Sequence, residues 1–288
     1  MATAPSDLIA QVHALDSDRA FVELTGWRMV SARGADAVSW LNDLVTARVD
    51  DIEASEVRRA LLLDRTGHVR ADVHVTTIEG GLVLIQDPVQ PARIEDLLAP
   101  YVLSSDVTLE DRSEHLALFA VTDGQIAPVE GLRHSRPAER MAYALVDAQD
   151  RDRARHALAV LGEASVEAGD VWRIRRGIPR FGVDLGMTSL PAESPHFESV
   201  VDRSKGCFLG QESVARVANL GHTPKEVVAF RAAGAVRIGV PVLAEGREAG
   251  TVTSMAPEAG GTSVIARIDR EAGHRSLQTS DGVDLFPN

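Results

Sequence analysis

The alternation of apolar and polar positions predicts a chain that moves repeatedly between short strands and short helices. Residues 1–18 read as a polar lead-in that packs late or frays. Residues 27–31 then read as a strand, and 34–44 as a helix with Ala37, Val38, Leu41 and Leu44 on one face. The apolar run 57–63 is a predicted strand, followed by the turn Asp64-Arg65-Thr66-Gly67. Over residues 68–77 the period becomes two. Val69, Ala71, Val73 and Val75 point one way, and Arg70, Asp72, His74 and Thr76 the other. A Glu79-Gly80-Gly81 turn leads into 82–86 and completes a hairpin. Residues 89–98, flanked by prolines, read as a helix, and 107–109 and 116–121 as further strands.

A connection rich in Gly, Pro and Arg occupies 123–140. A second strand-then-helix unit follows at 141–146 and 150–161, so two mixed halves suggest an internal pseudo-repeat without letter-by-letter identity. Residues 169–176 read as helical. From 177 to 210, Gly, Pro and Ser recur at short intervals, and so long an irregular stretch in a compact domain points to function. Gln211–Leu220 reads as a short helix closed by Gly221. Beyond Pro224 the pattern becomes short strands with Gly/Pro turns, at 226–232, 241–243, 248–254 and 262–268. That texture predicts a small antiparallel sheet or barrel of about 60 residues.

Composition narrows the function classes. The chain has 288 residues, a formal charge of −12, 44% hydrophobic and 25% charged residues, ordinary values for a globular protein of one to three domains. The acidic balance and the 4% aromatic content argue against direct nucleic-acid binding. No leader pattern and no apolar run of about 18 residues is present, so the expectation is a cytoplasmic protein without membrane contact. A single cysteine excludes an intramolecular disulfide framework and a metal site built from this chain's thiolates alone. The nine histidines show no ligand spacing, so no metal site is expected. Only two of the 30 basic residues are lysines, and one of them, Lys205, stands two positions from Cys207.

Residues 202–216 therefore carry the candidate chemistry. Gly206 and Gly210 punctuate a loop that feeds a predicted helix N-terminus, where free N–H groups and Lys205 supply positive potential. Such a setting favours the nucleophilic form of Cys207, with Glu212 in the first turn partly cancelling the field. The competing reading makes Cys207 a small buried apolar residue and Lys205 a solvated loop residue.

Lys205-Gly206-Cys207-Phe208, then Gly210-Gln211-Glu212 and Arg216, resembles the signature of the YgfZ-type folate-binding proteins. Upstream, Arg176-Gly177-Ile178-Pro179-Arg180-Phe181-Gly182, Asp184 and Leu190-Pro191-Ala192-Glu193 resemble the wider superfamily of the glycine-cleavage aminomethyltransferase, the T-protein. Gly34-Ala35-Asp36-Ala37, Gly67-His68-Val69-Arg70-Ala71-Asp72 and Gly250-Thr251-Val252-Thr253-Ser254 are similar to that fold's opening strands and closing barrel. The resemblance implies an α+β fold: a folate-binding domain over 1–223, in two mixed halves of about 19–122 and 141–223, and a C-terminal antiparallel β-barrel over 224–288.

It also implies roles. Glu193 falls where a family carboxylate binds the pterin ring, whose amino group and ring N–H are two parallel donors suited to two acceptor oxygens. Asp72 falls at the transferases' catalytic acid, although on the sequence alone it could equally face solvent. Lys205, Gln211 and Arg216 would lie at the mouth of a pocket lined by Asp72 and Glu193. The implied function is a tetrahydrofolate-binding accessory factor for assembly or repair of iron–sulfur proteins. It would affect tRNA modification only indirectly and use Cys207 as its reactive or partner-contacting residue. One thiolate cannot hold a cluster alone, so iron–sulfur client proteins would complete the chemistry. The alternative is a tetrahydrofolate-dependent aminomethyl or methyl transferase, in which Asp72 would act as the acid.

Overall fold

The structure is a computed structural model that describes residues 5–122, 132–135, 141–258, 260–273 and 275–288. Two compact units are present. The first comprises residues 5–63, 70–122, 132–135, 141–169 and 200–209; the second comprises 64–69, 170–199 and the described residues from 210 to 288. Among the described residues no helix is long and apolar enough to cross a membrane.

The first unit is built on a ten-stranded mixed sheet. Its strands are β1 (Ala20–Glu23), β2 (Arg28–Arg33), β3 (Glu56–Leu63), β4 (Val69–Ile78), β5 (Gly81–Gln86), β6 (Thr108–Asp111), β7 (Leu116–Thr122), β8 (Leu132–Ser135), β9 (Met141–Asp147) and β10 (Gly162–Ala164). Helices α1 (Pro5–Asp16), α2 (Ala37–Leu44), α3 (Ile94–Leu98) and α4 (Arg151–Leu158) accompany them, and α5 (Val166–Arg175) runs on into the second unit. Spatial order is β10-β1-β7-β9-β8-β3-β4-β5-β2-β6.

The order places β6-β2-β5-β4 on one side and β10-β7-β9-β8 on the other, with β1 inserted beside β7, and α3 and α4 each lead into an outer strand; β7 and β8 thus group apart from the expected bounds of 19–122 and 141–223. The halves meet where β3 pairs with β8, Glu56 opposite His134 and Val57 opposite Ser135. The connection expected at 123–140 lies outside the described residues apart from β8.

Helices α2 and α3 bury Ala37, Leu41, Leu44, Ile94 and Leu98 against Val30, Ala71, Val73, Val75, Leu82 and Leu84 of the sheet. Burying such side chains is worth about 1.5–3 kcal/mol apiece and drives the layer together. A second core forms around Phe21, Phe119, Val121, Ala154 and Leu158. The expected lead-in is instead helical from Pro5: Val12 and Leu15 are buried, and Gln11 Oε1 accepts the Ser165 N–H at 2.8 Å. Half-buried Leu8 completes the face, so Leu8, Val12 and Leu15 form an i, i+4, i+7 stripe that the lead-in reading omits.

The second unit holds helices α6 (Pro195–Glu198) and α7 (Gln211–Leu220) and a closed barrel. Its strands are β11 (Lys225–Ala232), β12 (Pro241–Ala244), β13 (Arg247–Glu258), β14 (Gly261–Asp269), β15 (Leu277–Thr279) and β16 (Asp284–Pro287), in the order β11-β14-β13-β12-β15-β16. Every pairing in it is antiparallel, and β11 with β16 completes the ring. Phe230, Val242, Val252, Val264, Ala266 and Ile268 fill it. The α+β fold with a small closed C-terminal barrel therefore stands. The short strands β15 and β16 carry too few alternations to show in the sequence.

Candidate functional site

In the first unit the Lys205–Cys207 loop is built onto the end of α2. That helix leaves the carbonyls of its last turn without intrahelical partners. Residues 200–209 supply the missing donors. The Asp202 N–H reaches Thr46 O at 3.0 Å, and the Leu209 N–H reaches Asp43 O at 3.2 Å. Lys205 Nζ donates to the carbonyl oxygens of Asn42, of Val45 at 2.8 Å and of Ala47 at 2.9 Å. Thr46 Oγ1 adds a bond to Val200 O at 2.9 Å. A cation at a helix C-terminus also meets the negative end of its dipole.

Lys205 is only 5% exposed, so it is not a solvated loop residue, and its three donors meet three carbonyls. Burial pulls its ammonium down from the ordinary lysine value to about 8, while Asp202, Asp43 and Asp50 act in the opposite direction. Asp202 is itself held below the usual carboxylate range, chiefly by the Ser204 hydroxyl. Phe208 is buried beneath this loop, with its ring 5.6 Å from Lys205 Nζ, and Cys207 is exposed as a free thiol. The reading of Cys207 as a buried apolar residue does not hold.

Asp72 lies on β4, whose polar face is buried from Asp72 to Thr76, with Arg70 half-exposed. Asp72, His74 and Thr76 are 9%, 7% and 0% exposed, so the alternation marks two covered faces rather than core and solvent. Arg59 on β3 grips the Asp72 carboxylate as a fork, Nε to Oδ1 at 2.7 Å and Nη2 to Oδ2 at 2.6 Å. Gln90 takes both backbone groups of Asp72, accepting its N–H and donating to its carbonyl. Tyr143 and Trp27 cover His74 with tilted ring contacts. Without an arginine partner, burying this carboxylate would cost several kcal/mol.

The remaining predicted residues belong to the second unit. Glu193 ends a tight 3-10 turn opened by Pro191 and is 4% exposed. Arg267 on β14 holds it as a fork, Nε to Oε2 at 2.7 Å and Nη2 to Oε1 at 3.0 Å, and Oε1 also accepts the Leu190 N–H at 3.2 Å. Gln211 opens α7 half-buried, and Arg216 lies on its exposed side. The start of α7 meets the Asp64–Gly67 turn through the Ser213 hydroxyl, which donates to Arg65 O at 3.1 Å.

Asp184 is fully buried. It accepts from Arg173 Nη1 at 2.6 Å, the Arg180 N–H at 2.9 Å and the hydroxyls of Thr253 and Ser254, each at 2.6 Å. Consecutive strand residues normally face opposite sides, and the register shift between Val252 and Ser254 lets both hydroxyls reach one oxygen. Beside this knot a cleft of about 450 Å³ is lined by residues 182–186, Lys225, Glu248, Thr251, Arg267 and Asp269.

Lys205 and Cys207 thus share the first unit with Asp72, while Glu193, Gln211 and Arg216 belong to the second. Sequence reasoning missed Arg59 and Arg267, the residues that engage the two singled-out carboxylates. Nothing distinguishes them among 28 arginines until strand pairing brings each to its acid. Among the described residues no group of three His, Cys, Asp or Glu side chains is placed to hold a metal ion.

No family model matches the chain. Its sequence is 27% identical over 269 residues to an aminomethyltransferase of Streptomyces avermitilis, covering 85% of this chain and 68% of that protein. It is 22% identical over 245 residues to an uncharacterized protein of Haemophilus influenzae, covering 81% and 83% respectively. The fold is similar to that of the glycine cleavage system aminomethyltransferase T from Bartonella henselae, with a TM-score of 0.81 at 13% identity, over 99% of this chain and 89% of that one. The chain is thus similar to aminomethyltransferases in sequence and shares their fold.

Proposed function

We propose that the protein binds a reduced folate, with Glu193 taking the pterin ring, and acts through Cys207 on partner proteins as an accessory factor for iron–sulfur enzymes. The observation that carries the thiol half is the Lys205 clamp: it fixes a loop whose one reactive side chain, Cys207, is exposed. A loop held at Asp202, Lys205 and Leu209 presents that thiol without a large ordering cost on docking. Client proteins would supply the remaining cluster ligands, and any effect on tRNA modification would pass through those clients.

Tetrahydrofolate is the cofactor that the fold implies, and the donor set can be tested against it. Glu193 fits in kind, since its two oxygens already accept two parallel N–H donors in one plane, the pattern a pterin edge offers. Asp72 is held by Arg59 in the same two-pronged way, and Gln90 takes both its backbone groups, so arginine pairing alone does not separate the two carboxylates as ligand groups. A transferase would need Asp72 to act as an acid at a folate nitrogen, which requires Arg59 to leave its carboxylate. Lys205 has no donor to spare for a folate tail, which leaves Gln211 and Arg216 as the predicted contacts with exposed polar surface.

Calorimetric titration of the full chain with 5-formyltetrahydrofolate tests the folate half: saturable binding is expected, and Glu193→Gln should abolish it. A folded wild-type chain and a folded Arg267→Gln variant that both take up no folate would end that reading. For the thiol half, a deletion strain carrying Cys207→Ala should fail to restore iron–sulfur enzyme activity. Full restoration would remove the thiol mechanism and leave folate binding standing.

A further inference from the structure

We propose that Arg267 is a built-in occupant of the Glu193 carboxylate, a guanidinium standing where the paired N–H donors of an aminopyrimidine ring would bind, and that a ligand must displace it. This rests on the reading of Glu193 as the pterin-binding carboxylate. The Arg267 edge presents Nε–H and Nη2–H side by side, and they meet Oε2 at 2.7 Å and Oε1 at 3.0 Å. An amino group beside a ring N–H presents the same two-donor edge. One carboxylate offers one such in-plane pair of acceptor positions, and the Leu190 N–H already uses a further site on Oε1. Guanidinium and ring therefore compete for one place.

Of the two partners, the arginine is the one free to leave. Glu193 is 4% exposed and fixed in a turn whose backbone bonds run Glu193 N–H to Leu190 O at 3.0 Å and Ser194 N–H to Pro191 O at 3.2 Å. Arg267 sits on a barrel strand with its side chain 24% exposed, and it lines the cleft of about 450 Å³. Besides the buried Asp184, two carboxylates border that cleft. Asp269 lies two positions along β14 on the same face, where it already pairs with Lys225 at 3.9 Å, and Glu248 is exposed on β13. A displaced guanidinium would find water and negative charge there. The Glu193 carboxylate stays paired in either state, so neither state leaves a buried charge uncompensated.

The closed state lowers apparent folate affinity by the fraction of molecules in which Glu193 is open. Titration of the full chain with 5-formyltetrahydrofolate should therefore give about tenfold tighter binding, or more, for Arg267→Gln than for wild type, with Arg267→Lys between them. A second readout needs no variant: the ¹⁵N resonance of Arg267 Nε in the ligand-free protein should be that of a carboxylate-bound guanidinium and move to the solvent-exposed position as folate is added. Wild-type binding with equal or weaker binding by folded Arg267→Gln overturns the gate and leaves the folate reading intact. An unmoved Arg267 resonance at saturating folate overturns the gate in the same way, even where the variants do not fold. Failure of wild type and Arg267→Gln alike to bind removes the folate reading itself, and the gate with it.

Discussion

Replacing Lys205 by methionine keeps a side chain of similar length and removes every donor. Three carbonyls, those of Asn42, Val45 and Ala47, then lose a charge-assisted hydrogen bond at a position 5% exposed. Each buried carbonyl left without a donor costs about 1–3 kcal/mol. The variant recovers part of this, because an ammonium need no longer be desolvated. The net expectation is a loss of about 2–4 kcal/mol, the carbonyl penalties less the desolvation recovered. Urea unfolding measures that loss, and hydrogen exchange localises it: the amides of Asp202 and Leu209, which bond to Thr46 O and Asp43 O, should lose protection first. A stability change below about 1 kcal/mol with those amides still protected would refute the clamp. The pH dependence has a definite sign. The folded chain releases the Lys205 proton near pH 8, below the ordinary lysine value, so the unfolded chain holds more protons between the two. The penalty for burying the charge is fully present below pH 8 and is relieved as pH rises. Wild type should therefore gain on Lys205→Met between pH 7.5 and 9.5, and a narrowing gap would contradict the assignment.

Other substitutions probe the acids and the turn. Asp184→Asn removes the charge from a fully buried carboxylate while Arg173 keeps Asp170 at 2.6 Å, and should cost about 1–3 kcal/mol in urea unfolding. Asp72→Asn should lower stability by about 3–5 kcal/mol through Arg59 while leaving 5-formyltetrahydrofolate affinity within about twofold; a folded variant with abolished folate binding would restore Asp72 to the ligand site. Gly67→Ala places a Cβ 2.9 Å from Ser213 Cβ at a φ of +84°, for a loss of about 1–3 kcal/mol in thermal unfolding. Adding Ser213→Gly should return only the steric part of that loss, because the backbone strain persists.

Much of the architecture was legible in the chain because it depends on local pattern. The helix 34–44, the strand 68–77 and the barrel after Pro224 each carry a period of 3.6 or 2 with turn residues at the boundary, and each is present. Helix α1 was legible too, since Leu8, Val12 and Leu15 stand at i, i+4 and i+7, but the polar residues around them gave the reading of a lead-in. The exposure of the polar face of β4 was open, because alternation states which residues share a side and not what covers that side. Tyr143 and Trp27 provide the cover at His74, from distant parts of the chain.

At the candidate site the division is similar. The sequence by itself determined which groups could do chemistry: one thiol, a lysine two residues away, and carboxylates Asp72 and Glu193 in recognisable motifs. Only the tertiary structure decided their states. Lys205 turned inward because α2 ends with unpaired carbonyls, and Cys207 was left exposed. Asp72 and Glu193 each met an arginine from a strand or segment remote in sequence, 13 residues away for Arg59 and 74 for Arg267. A residue's chemistry is written locally, but its partners are set by strand pairing and packing, which bring together groups that no local pattern connects.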